Sequence, residues 1–323
     1  MKRIPYLKKG SKVAIVAPAR SVKQDEVIGG IKWLEEQGFI PVYDERLFYK
    51  HFIFAGDDAS RSAVLQQYLD AEDIEGIWLA RGGYGSIRII DKLDFSKFLQ
   101  HPKWIVGFSD TTVFHGKLNC MGMPSIHAIM PYSFDRKLRY YRLVNKVIPI
   151  KMPNCFDQKT QEAKQSLIDA LTGKSIQYEF PTHHLNRQGT AEGEIVGGNL
   201  SVFYGMMGSD SFPETDGKIL LLEEVDEYIY HIDRMMHALK RAGKLSNLKG
   251  LIIGGLTQIK DNADPFGMTV EEVIADAVKD YDYPLCFGFP AGHQADNRAL
   301  LFGQKAKLEI TAEGSVFHSN FVH

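Results

Sequence analysis

Cysteine and net charge are both scarce in this chain. Three cysteines occur among 323 residues, and Cys120, Cys155 and Cys286 are far apart. An odd, scattered set of this kind provides neither a disulfide framework nor a Cys-x-x-Cys metal site, and it favours a reducing compartment. The formal net charge of -2 gives no electrostatic basis for binding nucleic acid or an anionic membrane surface. We therefore expect no nucleic-acid partner, no membrane partner and no bound metal.

Long apolar runs and nucleotide-binding loops are also absent from the sequence. The basic N-terminus is followed by an apolar run of only Val13 to Ala17, which is shorter than the apolar core of a signal peptide. No run approaches the roughly 18 apolar residues of a membrane span. Neither G-x-G-x-x-G nor a Gly-Lys-Ser/Thr loop occurs, so we expect no nucleotide cofactor. These features predict a cytoplasmic protein without a cofactor.

Apolar, β-branched runs alternate with helix-periodic segments through the first third of the chain. This alternation predicts a parallel, doubly wound sheet. The predicted elements are a strand at Val13–Ala17, a helix at Ser21–Gln37, a strand at Phe39–Tyr43, a helix from Ser60, a strand at Gly76–Ala80 and a strand at Ile105–Val106.

The composition changes after residue 150. Residues 151–190 are rich in polar and turn-forming residues, which predicts a linker with one short helix around Gln165 to Leu171. We therefore predict an N-terminal α/β domain over residues 1–150 and a smaller, mixed α/β C-terminal domain over residues 191–323. Its predicted elements include a strand at Lys218–Leu222, an amphipathic helix at Tyr230–Ala242, a strand at Leu248–Gly254, a helix at Thr269–Lys279 and antiparallel strands within Lys305–Val322.

The stretch WIVGFSDTT, Trp104 to Thr112, combines a short buried strand with a serine at its end. Groups at the carboxyl end of such a strand face the crevice where ligands bind, so Ser109 is a candidate nucleophile. Gly107 would allow a sharp turn before it. Thr111 stands where the G-x-S-x-G pattern has its second glycine. Taken alone, the local sequence favours a structural interpretation, in which Ser109 and Asp110 cap the following helix with their side-chain oxygens.

A glycine-rich segment, Arg81 to Ser86, follows the predicted strand at Gly76–Ala80. Three glycines in four positions indicate either a tight turn or a backbone that approaches a ligand closely. Backbone N–H groups freed by such a loop could face an oxyanion. A plain strand-to-helix turn explains the glycines equally well.

Three predicted strands or loops end in side chains of complementary chemistry: Ser109, Glu223 and His293. A serine hydroxyl needs an adjacent base to act as a nucleophile, and an imidazole needs a carboxylate to fix its tautomer. With 11 histidines and 40 acidic residues in the chain, residue types alone make such trios common, so composition supports this triad only weakly.

The order of six motifs along the chain identifies a family more specifically than residue composition does. The chain contains VAIVAPAR, ARGGYGS, VGFSDTT, VGGNLS, ILLLEEVDEYIYHIDRMMHAL and GFPAGHQADNRALLFG. In this order and at these intervals it resembles the LD-carboxypeptidase family, the serine peptidases of the murein tetrapeptide carboxypeptidase and microcin-immunity type. The resemblance covers nearly the whole chain.

The resemblance implies a cytoplasmic serine peptidase, commonly a homodimer, that cleaves the amide before a terminal D-amino acid. In muropeptides this is the terminal D-Ala of a tetrapeptide, released during cell-wall recycling. It implies that Ser109 is the nucleophile, Glu223 the orienting carboxylate and His293 the general base. The oxyanion hole would use backbone N–H groups of Gly83 and Asp110, in a site between the two domains.

Two departures from the family pattern keep alternatives open. The strand reads Glu223-Glu224-Val225-Asp226-Glu227, so Glu224 and Glu227 rival Glu223 as the triad carboxylate. The residues after His293 also differ, which affects the substrate more than the chemistry. An amidase that detoxifies a peptidyl-nucleotide and a non-catalytic two-domain protein that binds peptides therefore remain alternatives.

Other histidines have simpler interpretations. His127 follows an apolar run and is predicted to be a core or loop residue. His183 and His184 have no neighbouring cysteine or carboxylate cluster and make a poor metal site.

Overall fold

The computed structural model describes residues 3–134 and 154–319 and contains two β-sheets with flanking helices. This mixed α/β architecture with two sheets confirms the predicted fold class. The predicted domain boundary at residue 150 lies outside the described residues. No helix in these two ranges is both long and apolar enough to cross a membrane.

The first sheet has six strands in the order β11-β5-β4-β3-β1-β2. Five of them come from the first 127 residues and are mutually parallel: β1 (Lys12–Val16), β2 (Ile40–Val42), β3 (Gly76–Leu79), β4 (Trp104–Gly107) and β5 (Ser125–His127). The strand order reverses between β1 and β3, and the carboxyl ends flanking such a reversal form a ligand-binding crevice. Every residue of β3 and β4 is buried, as expected for a sheet covered on both faces.

The helices of the first region follow the predicted alternation. They are α1 (Gln24–Glu36), α2 (Asp58–Asp70), α3 (Ser96–Gln100) and α4 (Thr112–Cys120). Helix α1 starts three residues later than predicted, after Lys23, whose backbone is extended and whose N–H donates to Glu26 Oε2 at 2.9 Å.

The second sheet has seven strands in the order β10-β9-β8-β7-β12-β13-β6. Its parallel half consists of β7 (Gly189–Asn199), β8 (Ile219–Val225), β9 (Gly250–Thr257) and β10 (Leu285–Cys286). Its antiparallel half consists of β6 (Ile176–Phe180), β12 (Lys305–Ile310) and β13 (Ser315–Ser319), joined to the amino-terminal part of β7. The predicted antiparallel pairing near the C-terminus is confirmed for the described residues.

The remaining helices are α5 (Asn154–Thr172), α6 (Leu200–Gly205), α7 (Ile229–Arg241) and α8 (Val270–Ala277). Helix α5 is longer than the predicted short helix, and it lies with β6 in the segment predicted as a linker. Helix α7 buries Ile232, Met235, Met236 and Leu239, the face that its periodicity predicts.

The chain crosses between the two sheets near its C-terminus. After β10 in the second sheet, it runs through a loop that contains His293 and then adds β11 (Leu300–Phe302) antiparallel to β5 in the first sheet. It returns to the second sheet at β12. A loop that spans the two sheets must pass between them, so this connection brings His293 towards the carboxyl end of β4.

Candidate active site

Ser109 lies immediately after β4, in a turn that strains its own backbone. Its φ is 65°, in the left-handed region, where a residue other than glycine costs on the order of 1–3 kcal/mol. Gly107, the expected turning point, is instead the last residue of β4, and a methyl group on it would lie 2.6 Å from Thr111 Oγ1. Strain of this kind is a feature of turns that present a catalytic side chain.

The capping interpretation of Ser109 and Asp110 is wrong. Neither the 3-10 turn at Ser109–Thr111 nor α4 has a side-chain cap. The Ser109 hydroxyl lies instead against His293, and the Asp110 carboxylate accepts a hydrogen bond from the backbone N–H of Ser86 at 2.8 Å.

Ser109, His293 and Glu223 form a continuous hydrogen-bonded chain. His293 Nε2 lies 3.0 Å from Ser109 Oγ, and His293 Nδ1 lies 2.7 Å from Glu223 Oε2. Since an ionised carboxylate can only accept, Nδ1 carries the proton of the neutral ring, and Nε2 is left to accept the serine proton. The backbone N–H of His293 also donates to Glu223 Oε2 at 3.2 Å. His293 is thus held at two points by one carboxylate, through its ring and through its backbone N–H.

The two adjacent glutamates of β8 have different partners. The predicted strand end at Leu222 is wrong, because β8 continues through Glu223 and Glu224, with an irregular register between Leu222 and Glu224. Glu224 does not contact the imidazole. Its carboxylate accepts hydrogen bonds from Asn199 Nδ2 at 2.9 Å and from the backbone N–H of Ser201 at 2.8 Å. The Glu224 carboxylate therefore binds a backbone N–H group at the amino-terminal end of α6.

The other rival carboxylate, Glu227, lies beyond the end of β8. Its Oε2 is 2.9 Å from His231 Nδ1 on α7. Of the three candidate glutamates, Glu223 is the one in contact with His293.

The electrostatic environments of Glu223 and Glu224 also differ. Complete burial alone would raise the pKa of Glu223, but the charge and hydrogen bonds of His293 outweigh it and hold that pKa below its usual value. Burial raises the pKa of Glu224 because its partners are uncharged N–H groups. Glu223 is therefore the carboxylate suited to remain ionised beside an imidazolium.

The glycine-rich loop lies directly against Ser109. A methyl group built on Gly82 would lie 3.0 Å from Ser109 Cβ and 3.3 Å from the backbone nitrogen of Asp110. Gly83 has a φ of 105° and packs on the side chain of Arg20. The loop thus places Gly82 next to Ser109 and beside the backbone nitrogen of Asp110. Gly83, which the family resemblance names with Asp110 for an oxyanion hole, is the next residue of the loop.

Two buried ionic side chains hold this loop, and the sequence nominated neither for this task. The carboxylate of Asp110 binds Ser86, and burial raises the pKa of Asp110. Arg61 of α2, which is 1% exposed, donates from Nη1 to the carbonyl of Gly85 at 3.0 Å and to that of Pro18. Arg61 thereby joins the loops that follow β1 and β3.

The loop that carries His293 is held from behind by Asn297. Asn297 Oδ1 accepts the backbone N–H of Gly292 at 2.8 Å and lies 3.3 Å from His127 Nε2. His127 is fully buried, as the core interpretation predicts, and burial lowers its pKa to about 4. A methyl group on Gly292 would lie 2.6 Å from Glu223 Oε2, so only glycine fits between this loop and the carboxylate.

The rings of His183 and His184 contact each other at an angle of 36°, with their centroids 4.4 Å apart. Across residues 3–134 and 154–319, no group of three or more His, Cys, Asp or Glu side chains is arranged to hold a metal ion.

Comparisons with known proteins cover both sheets. The family model described as the LD-carboxypeptidase N-terminal domain matches residues 13–128, and that described as the LD-carboxypeptidase C-terminal domain matches residues 192–308. A probable murein peptide carboxypeptidase of Bacillus subtilis is 30% identical over 314 residues, covering 97% of this chain and 93% of the relative.

Two further comparisons extend the range of similar proteins. The crystal structure of muramoyltetrapeptide carboxypeptidase from Oxalobacter formigenes superposes with a TM-score of 0.80 and 25% identity, covering 95% of this chain and 98% of that one. The microcin C7 self-immunity protein MccF of Escherichia coli is 22% identical over 309 residues, covering 91% of this chain and 88% of the relative.

Proposed function

Because this chain belongs to the LD-carboxypeptidase family, we propose that it is a serine peptidase that removes the terminal D-alanine of murein tetrapeptides. The observation that carries the proposal is the chain of contacts from Ser109 Oγ through His293 to Glu223, at 3.0 and 2.7 Å. These distances fall in the range in which a base can take the proton of a nucleophile.

In the proposed reaction, His293 Nε2 takes the proton of Ser109 as Oγ attacks the scissile carbonyl carbon. Glu223 stabilises the imidazolium that forms. The backbone N–H groups of Gly83 and Asp110 donate to the oxyanion of the tetrahedral intermediate. His293 then protonates the leaving amine, D-alanine departs, and water hydrolyses the acyl-serine with His293 again as the base.

We propose in addition that the enzyme works in the cytoplasm as a homodimer during cell-wall recycling. The support is the family resemblance, together with the scarcity of cysteine for the compartment. Sedimentation equilibrium would measure the assembly, and a monomer at micromolar concentration would contradict the homodimer.

The test of the proposed function uses matched tetrapeptides that differ only in the configuration of the terminal alanine. A rigid site misplaces the scissile carbonyl of the wrong isomer, and a displacement of about 1 Å can cost about 100-fold in rate. We expect release of D-alanine at least about 100-fold faster than release of L-alanine, and no release by Ser109→Ala. Equal rates for both isomers would rule out the LD specificity.

The same assay separates this function from that of an immunity-type amidase. An aminoacyl sulfamoyl nucleotide is offered beside the tetrapeptide. We expect the tetrapeptide to be the better substrate, because the murein peptide carboxypeptidase relative is the more similar at 30% identity against 22%. The opposite preference would favour the amidase.

A further inference from the structure

Two arginines flank the glycine-rich loop at the reversal point of the first sheet. Arg81 begins the loop, one residue before the glycine that packs on Ser109, and Arg20 follows β1. The aliphatic part of Arg20 lies on Gly83, since a methyl group there would be 2.3 Å from Arg20 Cδ. The Arg20 side chain therefore packs on the loop that lies against Ser109, and Arg81 is the first residue of that loop.

Neither arginine has a carboxylate partner among the described residues. No ion pair is formed by Arg20 or Arg81 in these ranges, although other arginines do form them, such as Arg61 and Arg88 with Asp58. Burial lowers the pKa of Arg81, and the charge of Arg20 adds to the effect. A partly buried positive charge without a counter-ion is unfavourable unless an anion binds there.

The existing contacts of Arg81 leave most of its donors available. Nη1 donates to the carbonyl of Ser21 at 3.1 Å, and the guanidinium stacks on Tyr132 at 3.9 Å from the ring centroid. A guanidinium has five N–H donors in a planar fork. The acid that interacts electrostatically with it, Glu26, accepts the backbone N–H of Lys23 at the start of α1. The contact with the Tyr132 ring restrains the guanidinium, and its remaining N–H donors can bind a carboxylate through two hydrogen bonds.

We propose that Arg81, assisted by Arg20, binds the free α-carboxylate of the terminal residue of the substrate. This inference rests on the proposed function and extends it, because it explains why cleavage would occur only at the last peptide bond. The carboxylate carbon of that residue is three bonds from the scissile carbonyl carbon, about 4 Å away. Arg81 directly precedes Gly82, which lies against Ser109, and Arg20 packs on Gly83, so the proposed anion site is next to the loop that contacts the nucleophile. An interior peptide bond offers no such anion.

The test compares a tetrapeptide ending in D-alanine with the same peptide ending in D-alaninamide. For the wild-type protein we expect kcat/KM to be roughly 10- to 100-fold higher for the acid, the size of one charge-assisted contact. Arg81→Met should remove this preference by lowering the rate on the acid alone, and Arg20→Met should reduce it by a smaller factor. The ratio of the two rates does not depend on the fraction of folded enzyme.

The matched control is Arg88→Met, two residues beyond the loop, because Arg88 is exposed and pairs with Asp58 at 2.9 Å. It should keep the wild-type ratio. Equal rates on acid and amide by the wild type would overturn the inference and leave the proposed hydrolysis intact. An unchanged ratio in Arg81→Met would also overturn it.

If the wild type cleaves neither peptide, the proposed function is wrong. The proposed anion site is then tested separately by equilibrium binding. Ser109→Ala protein should bind the acid roughly 10-fold or more tightly than the amide, and the added Arg81→Met change should abolish that difference. Equal binding of acid and amide would overturn the inference.

Discussion

The two sides of the candidate active site use buried charge in opposite ways. On the first-sheet side, the carboxylate of Asp110 and the guanidinium of Arg61 bind backbone groups of the glycine-rich loop. On the second-sheet side, the carboxylate of Glu223 binds an imidazole that can become charged. Burial raises the pKa of Asp110, whereas His293 holds that of Glu223 below its usual value. Burial alone therefore does not decide the state of a carboxylate; its partner does.

The two sides therefore make different contributions to the proposed reaction. The first-sheet side supplies a strained serine and a fixed backbone, which must not move during the reaction. The second-sheet side supplies the groups that gain and lose charge. Substitutions on the two sides should therefore differ in the size of their effects on activity and in how their effects on stability depend on pH.

The largest effect is expected from Ser109→Ala on the first-sheet side. Removing the nucleophile of such a triad costs roughly 10⁴- to 10⁶-fold in kcat. Turnover of the D-alanine tetrapeptide measures it, with the thermal unfolding midpoint as the control for folding. Activity within tenfold of wild type would remove Ser109 from the mechanism.

The next largest effect is expected from Glu223→Gln on the second-sheet side. An amide cannot hold the imidazole in the required tautomer, so we expect kcat to fall by about 10³- to 10⁴-fold. Glu224→Gln is the matched control, since it changes the adjacent buried acid that contacts Asn199 and Ser201 instead, and it should cost less than about tenfold in kcat. The reverse order would move the catalytic carboxylate by one position.

A smaller effect is expected from Asp110→Asn, which weakens the hydrogen bond to Ser86 without changing the backbone N–H of residue 110. Losing one oxyanion donor outright costs about 10²- to 10³-fold, and a displaced loop should cost less, about 10- to 100-fold in kcat with KM nearly unchanged. Affinity for a peptide aldehyde, which places an oxyanion in the same site, should weaken in parallel. A rise in KM alone would mean that Asp110 acts on substrate binding.

The smallest effect is a difference in the pH dependence of stability. The folded-state pKa of Glu223 is lowered, so its contribution to stability is present above about pH 4.3 and is lost as the pH falls through that pKa. The folded-state pKa of Glu224 is raised, so its contribution is present below about pH 4.3 and is lost as the pH rises through that pKa.

Urea unfolding of the two glutamine variants at pH 7 and at acid pH measures this difference. The cost of Glu223→Gln in unfolding free energy should be larger at pH 7, and the cost of Glu224→Gln should be larger at acid pH. If the cost of both substitutions rose, or fell, between acid pH and pH 7, the proposed contrast between Glu223 and Glu224 would be contradicted.

Local sequence patterns predicted the elements whose structure depends on local order. The strand and helix alternation of the first region and the buried face of α7 follow from apolar periodicity alone. Of the three residues named through family resemblance, His293 lies within hydrogen-bond distance of both Ser109 and Glu223, and their catalytic roles remain predictions.

Features that depend on distant contacts were not predictable in this way. The pairing of β11 with β5 joins residues about 170 positions apart in the chain, and a three-residue apolar run gives no sign of which sheet it enters. Arg61 looks like an ordinary helix residue until Gly85 and Pro18 are brought to it. The sequence likewise favours Gly107 as the turning residue, because glycine is usual at sharp turns, whereas the left-handed backbone conformation falls on Ser109.

The most direct test of the account is the activation of a first-sheet serine by a second-sheet base. A fluorophosphonate reacts with serines whose hydroxyl has been activated, and mass spectrometry identifies the modified residue. We expect modification at Ser109, slowed by roughly 10²- to 10⁴-fold in His293→Ala and by a similar factor in Glu223→Gln. Modification of another residue, or an equal rate at Ser109 in the variants and the wild type, would contradict the account.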